Sequence, residues 1–114
     1  MKAVFVELPP FARFRQDYLD DDGFRGLQAK LMSTPEVGKV IEGAGGLRKM
    51  RFPDSRRQKG KRGGLRIIYY FWHEGAQFWL FTIYDKDEAD DLTAAEKKAL
   101  KKLLDAELAA RSET

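Results

Sequence analysis

The chain has 114 residues and a mass of 13.1 kDa, the length of one ordinary domain. With 43% apolar and 12% aromatic residues it can bury a packed core, which sets it apart from disordered chains, while no run approaches the ~20 apolar residues of a membrane span. It has no cysteine and a single histidine, so disulfides, thiolate metal sites and cysteine nucleophiles are all excluded.

Mean hydropathy is −0.53. The opening Met1-Lys2-Ala3-Val4-Phe5-Val6-Glu7 lacks the apolar stretch and small-residue cleavage site of a signal peptide. A reducing cytoplasm is the expected location, with no membrane partner. The net charge is only +3, but it is unevenly spread. Residues 1–46 carry −1 and residues 67–114 carry −4. Residues 47–66 hold nine basic side chains (Arg48, Lys49, Arg51, Arg56, Arg57, Lys59, Lys61, Arg62, Arg66) against Asp54 alone. Such a segment suits a polyanion, because phosphate contacts release counterions and dominate nucleic-acid affinity. Composition alone leaves a solvated basic loop equally open.

In chain order, Ala3–Glu7 reads as a short strand stopped by Pro9-Pro10, and the prolines then suit the first turn of a helix. Phe11, Phe14 and Tyr18 give that helix one apolar face over about three turns. Asp20-Asp21-Asp22-Gly23 breaks it and caps a second helix marked by Phe24, Leu27 and Leu31, which ends at Thr34-Pro35. Residues 36–46, closing on Gly43-Ala44-Gly45-Gly46, read as a flexible connector. Leu47–Phe52 alternates basic and apolar side chains as an exposed-face strand does, and Pro53–Gly64 reads as a basic loop. Leu65–Trp72 is apolar on both parities, hence a central strand. His73-Glu74-Gly75-Ala76 turns the chain into a second aromatic strand, Gln77–Tyr84. Thr93-Ala94-Ala95-Glu96 matches a capping box, followed by the stripe Leu100, Leu103, Leu104, Leu108. The order β-α-α-β-β-β-α within one domain, residues 1–114, predicts an α+β fold, with antiparallel hairpins and the helices segregated to one side.

Chemistry on this frame is restricted. No set of metal-ligand spacings exists and no cofactor is called for. His73 reads as a turn residue, and a Ser-His-Asp arrangement would have to use it. The stretches 43–46 and 60–64 are glycine-rich but lack the order of a phosphate-binding P-loop. Basic residues and tyrosine remain. Strand parity puts Lys49 and Arg51 on one face and Arg48, Met50 and Phe52 on the other. A hairpin turning about Gly75 sets Arg66 opposite Tyr84, with Lys86 just beyond, whereas a tighter turn would point the two residues to opposite faces. A cation cluster of this kind suits RNA cleavage, where the substrate supplies its own 2′-hydroxyl nucleophile. The protein has to orient that hydroxyl, move two protons and stabilise charge on the phosphate. Arginine forks match phosphate oxygens, a lysine crowded by cations has its pKa lowered, and tyrosine can stack on a base. A basic strand edge that resists aggregation accounts for one or two lysines, not for nine basic residues in twenty.

The N-terminal VFVE, the block Gly45-Gly46-Leu47-Arg48-Lys49-Met50-Arg51, the run Gly60-Lys61-Arg62-Gly63-Gly64-Leu65-Arg66-Ile67-Ile68-Tyr69-Tyr70-Phe71, and Leu80–Glu88 with Asp91-Leu92 resemble the RelE-like toxins of bacterial type II toxin–antitoxin modules (the RelE/ParE superfamily), most closely the HigB-type branch. The resemblance spans essentially the whole chain, in order. It implies a twisted antiparallel sheet carrying two N-terminal helices, with a C-terminal helix beyond. It also implies a metal-independent mRNA interferase that cuts mRNA in the ribosomal A site and halts translation. A cognate helix-turn-helix (HigA-type) antitoxin would neutralise it and join it in repressing their operon, so operator DNA is reached only through the antitoxin. By position, Arg66 matches the arginine on the scissile phosphate, Lys49 and Arg51 the basic pair of the second strand, and Tyr84 and Lys86 the Tyr-x-Lys ending the fourth. Arg48, Arg56, Arg57, Lys59, Lys61 and Arg62 are then expected to bind mRNA and 16S rRNA. Two departures leave the general acid and base open: no tyrosine follows Tyr84, and Asp85 stands where a small residue is common. The alternatives are a gyrase-poisoning ParE-type toxin, which the retained Arg66 and Lys86 argue against, or a non-catalytic RNA-binding regulator.

Overall fold

The densest run of aromatic and β-branched residues forms the centre of a five-stranded sheet. In a computed structural model describing residues 3–53, 64–89 and 91–112, β4 (Leu65–Trp72) and β5 (Gln77–Asp85) pair antiparallel, and β3 (Arg48–Phe52) lies antiparallel on the other side of β4. The remaining strands, β1 (Val4–Glu7) and β2 (Lys39–Val40), close the order β1-β5-β4-β3-β2.

Two features depart from the expected antiparallel sheet and its flexible connector. First, β1 runs parallel to β5, from Val4 opposite Gln77 to Glu7 opposite Leu80. Helix α1 (Pro9–Tyr18) and helix α2 (Asp21–Ser33) intervene between β1 and the rest of the sheet, so β1 does not close a hairpin. Second, residues 36–46 are not a flexible connector. They contain β2, which pairs Lys39 with Lys49 and Val40 with Arg48. They then close a turn in which the Ile41 N–H donates to the Leu47 carbonyl at 2.8 Å, with Ala44 and Leu47 buried. Gly46 sits there at φ 110°, where a Cβ would come within 3.1 Å of the Tyr70 ring, a place and a conformation that only glycine fills without strain.

The helices also do not share one side. Phe11 of α1 and Leu27 and Leu31 of α2 pack on one sheet face, against Met50, Leu65, Ile67, Tyr69, Phe78, Leu80 and Ile83. Helix α3 (Ala94–Ser112) covers the opposite face, where Leu100 and Leu104 meet Ile68, Trp79, Phe81 and the buried turn residues Ala44 and Leu47. The sheet is a central layer, which is why β4 is apolar on both parities. It also explains why Leu47 and Met50 are buried rather than lying on an exposed-face strand.

Helix ends follow the sequence closely. Pro9 and Pro10 open α1, and the Asp20 carboxylate accepts the Gly23 N–H at 2.7 Å to cap α2. The capping box of α3 is reciprocal: Glu96 N–H to Thr93 Oγ1 at 3.1 Å and Thr93 N–H to Glu96 Oε1 at 2.8 Å. Among the described residues no helix is long and apolar enough to cross a membrane.

A buried phenol ties the β2 region to the core. Tyr69 Oη donates to the Pro35 carbonyl at 2.8 Å and accepts the Gly38 N–H at 2.9 Å. Tyr69→Phe strands that amide and that carbonyl away from water, so we expect a loss of about 1–3 kcal/mol by chemical denaturation. An unchanged denaturation midpoint would contradict the role given to this hydroxyl.

Candidate nucleic-acid interface

The site rests on the β4–β5 register. Trp72 pairs with Gln77 and Tyr69 with Leu80, which is the tighter of the two hairpin turns. A bulge at Phe81 then adds one residue, so that Ile68 faces Thr82 and Arg66 faces Tyr84. Arg66 and Tyr84 therefore do lie opposite each other, though through a bulge rather than a wider turn. The same bulge keeps Trp79, Phe81 and Tyr84 on the α3 side of the sheet. On β4's other flank Arg66 pairs with Arg51, and Lys49 pairs with Ile68. Since alternate residues share a face, Lys49, Arg51, Arg66 and Tyr84 all point to one side. The ladder continues past β5, with the Lys86 N–H donating to the Gly64 carbonyl at 3.2 Å, and this carries Lys86 to the same side.

Beside these residues lies a cavity of about 750 Å³ lined by Lys30, Val37, Lys39, Lys49, Met50, Arg51, Pro53, Arg66 and Lys86. Among the described residues, six of the nine that line it are cations and none is an acid. Four of the five expected catalytic residues thus line one cavity. Lys30 of α2 and Lys39 of β2 join them unexpectedly. Because β2 pairs only with Arg48 and Lys49, the lining reaches round the outer edge of β3 to those two lysines.

Arg66 is the anchor of the arrangement. It is only 5% exposed, and its Nη1 donates to the Leu65 carbonyl at 3.2 Å and the Gly64 carbonyl at 3.5 Å. Burial first, and then the Arg51 charge, lower its pKa from the usual guanidinium value, while the nearby Asp85 acts in the opposite sense. Asp85 is itself buried and serves the turn: its Oδ1 accepts the Asp87 N–H at 2.8 Å, and its carbonyl accepts from Glu88 and Ala89.

Tyr84 is placed differently from its expected role. Its hydroxyl is buried beneath α3 and faces the Asp91 carboxylate. Burial, then the Asp91 charge, push the phenol up to about 12. It therefore stays protonated at neutral pH and serves as a donor, not a base. The native state favours the neutral phenol, so its contribution to stability is complete below pH 10.0, the unfolded value, and fades as pH rises toward about 12. We expect Tyr84→Phe to remove that part of the alkaline stability loss, read from urea midpoints below and above pH 10.0.

Arg48 is not brought into the cavity. It lies on the opposite parity, with Nη1 on the Gly38 carbonyl at 2.8 Å and Nη2 on Glu36 Oε2 at 3.1 Å, and so braces the approach to β2. Arg56, Arg57, Lys59, Lys61 and Arg62 lie outside the described residues. His73 is exposed in the hairpin turn, with its ring 4.3 Å from that of Phe71. Sequence reasoning gave Asp91 no role. Its Oδ1 lies 3.2 Å from Lys49 Nζ and 2.8 Å from the Leu92 N–H. That backbone hydrogen bond and Lys49 hold its carboxyl below the usual value.

No protein-family model matches the chain. Among solved structures, the fold is similar to that of a double arginine-to-alanine mutant of the E. coli toxin RelE in its free state. There the TM-score is 0.54 at 13% identity, over 79% of this chain and 90% of that one. It is similar as well to a chain of the intact E. coli RelBE toxin–antitoxin complex, at TM-score 0.50 and 12% identity over 70% and 92% of the two chains. The isolated E. coli RelE toxin in a P21 crystal form gives TM-score 0.50 and 11% identity over 88% and 97%. At these identities the likeness is one of fold, and the fold is RelE-like.

Proposed function

We propose that this chain is the toxin of a type II toxin–antitoxin pair, of the HigB-type branch of RelE-like toxins, and that it cuts mRNA in the ribosomal A site. The observation that carries this reading is the cavity itself: among the described residues that line it, six cations, no acid, and a nearly buried arginine. A concave site lined this way favours a phosphodiester over any neutral or cationic substrate.

The reaction needs no metal. The RNA 2′-hydroxyl attacks the adjacent phosphorus, the bond to the 5′-oxygen breaks, and a 2′,3′-cyclic phosphate and a free 5′-hydroxyl result. Arg66 and Arg51, side by side on β4 and β3, present guanidinium forks to the phosphate oxygens as charge builds there. Lys49 and Lys86 flank them and serve the two proton transfers, from the 2′-oxygen and to the 5′-oxygen. Tyr84, neutral and set behind Arg66, holds the arginine's surroundings rather than taking a proton. Lys30 and Lys39 extend the positive surface along which the message enters.

The partners follow from the same reading. They are the ribosome with its 16S rRNA, the mRNA, and a helix-turn-helix, HigA-type antitoxin through which operator DNA is bound, all in the cytoplasm. An antitoxin is supported by the RelBE complex, one chain of which shares the fold. Inducing this chain without an antitoxin tests the proposal. Growth should stop with protein synthesis, and primer extension should find new 5′ ends inside translated messages. Growth arrest with DNA damage and intact messages would replace this reading with gyrase poisoning.

A further inference from the structure

We propose that Asp91 is a positioning residue whose carboxylate holds the Lys49 ammonium in place beside the cation cavity. This inference rests on the endoribonuclease reading above. Asp91 does not line the cavity, yet it grips one of the side chains that do: Oδ1 stands 3.2 Å from Lys49 Nζ. The contact joins the segment that follows β5 to β3, so it spans the width of the sheet's central pair.

The carboxylate is the fixed end of this pair. The same Oδ1 accepts the Leu92 N–H at 2.8 Å, and one residue later Thr93 starts the α3 capping box. Lys49 is the mobile end, a four-carbon stem that loses considerable rotamer freedom whenever it must be placed. Its charged neighbours on the described strands are cations, Lys39 opposite on β2 and Arg51 two residues along β3, and these repel the ammonium rather than direct it. Around Asp91 stand Lys97 and Glu96 of α3 and the buried Tyr84 hydroxyl of β5. Among these groups Lys49 is the one in ion-pair contact with it.

The side chains are 34% and 52% exposed, so the pair contributes little to stability. Its effect belongs in turnover. A lysine that must reach a reacting oxygen gains from being held in reach before the RNA arrives, because misplacing a reacting group by an ångström is costly.

The test compares cleavage of a defined message on programmed ribosomes by wild type, Asp91→Asn, Asp91→Glu, Lys49→Ala and the Lys49→Ala/Asp91→Asn double variant. Asp91→Asn should lower kcat about tenfold with KM nearly unchanged. Asp91→Glu should regain most of the loss. Asp91→Asn should add nothing once Lys49 is alanine, and all five proteins should melt together. Full activity in Asp91→Asn, a loss that persists in the Lys49→Ala background, or an effect confined to KM would each overturn the positioning role. A wild-type protein that leaves the message intact would instead overturn the endoribonuclease reading, and this inference with it.

Discussion

Replacing Arg66 with alanine should reduce message cleavage on the order of 10²-fold or more, while the protein stays folded. The size follows from where the guanidinium sits. At 5% exposure it acts in a poorly hydrated setting, where a charge aimed at the developing phosphorane is worth far more than in water. In the free protein the same position is strained electrostatically, since Arg51 is its cross-strand partner. Burial and that neighbour lower its pKa, and a bound phosphate is the group that relieves both effects. Removing the charge should therefore cost catalysis, and the melting temperature shows what the hydrogen bonds to the Gly64 and Leu65 carbonyls contribute to the fold. Arg66→Lys keeps the charge but loses the fork, so it should recover only part of the rate. Single-turnover cleavage alongside a thermal melt measures both, and a folded, fully active Arg66→Ala protein would remove Arg66 from the site.

The largest expected loss of stability lies farther along the same sheet face, under α3. Trp79→Ala should cost about 3–5 kcal/mol, a large share of the roughly 5–15 kcal/mol that holds a domain of this size together. Trp79 is fully buried between β5 and α3. Its ring lies 5.3 Å from that of Tyr70 and 5.6 Å from that of Trp72, and the Arg111 guanidinium of α3 sits 5.0 Å above it. Its Nε1–H donates to Gln77 Oε1 at 2.8 Å, so even the polar edge of the indole is satisfied. Alanine leaves an apolar void beneath α3 and removes the platform under Arg111. Urea unfolding of the two proteins gives the difference directly, and a loss below about 1 kcal/mol would mean that α3 does not depend on this contact.

These two residues also show what is legible in the sequence. The apolar runs that became β4 and β5 announce a hairpin, and the capping residues Asp20, Thr93 and Glu96 mark helix starts that the structure places where they stand. Counting across a turn brought Arg66 opposite Tyr84, but the count succeeds for a reason that pattern does not reveal. The turn is one residue tighter, and the bulge at Phe81 restores the pairing. A bulge is decided by packing on both faces, here Phe81 toward α3 and Ile83 toward α1 and α2, and a single strand pattern carries no record of it. The parallel pairing of β1 was hidden for a similar reason, since its partner lies some seventy residues away. The two-residue β2 is too short to have a pattern at all. Lys30 and Lys39 reach the cavity through that tertiary arrangement, which is why charge runs along the chain did not single them out. For Asp91 a signal did exist: an acid just before a capping box, in a segment that must return over the sheet. Nothing in its spacing pointed to Lys49.

The most direct measurement is the chemistry of the cut ends. On ribosomes translating a defined message, wild-type protein should leave upstream fragments ending in a 2′,3′-cyclic phosphate and downstream fragments starting with a 5′-hydroxyl, with neither produced by Arg66→Ala. Intact message, or fragments bearing a 5′-phosphate, would contradict cleavage by 2′-hydroxyl attack in the cation cavity.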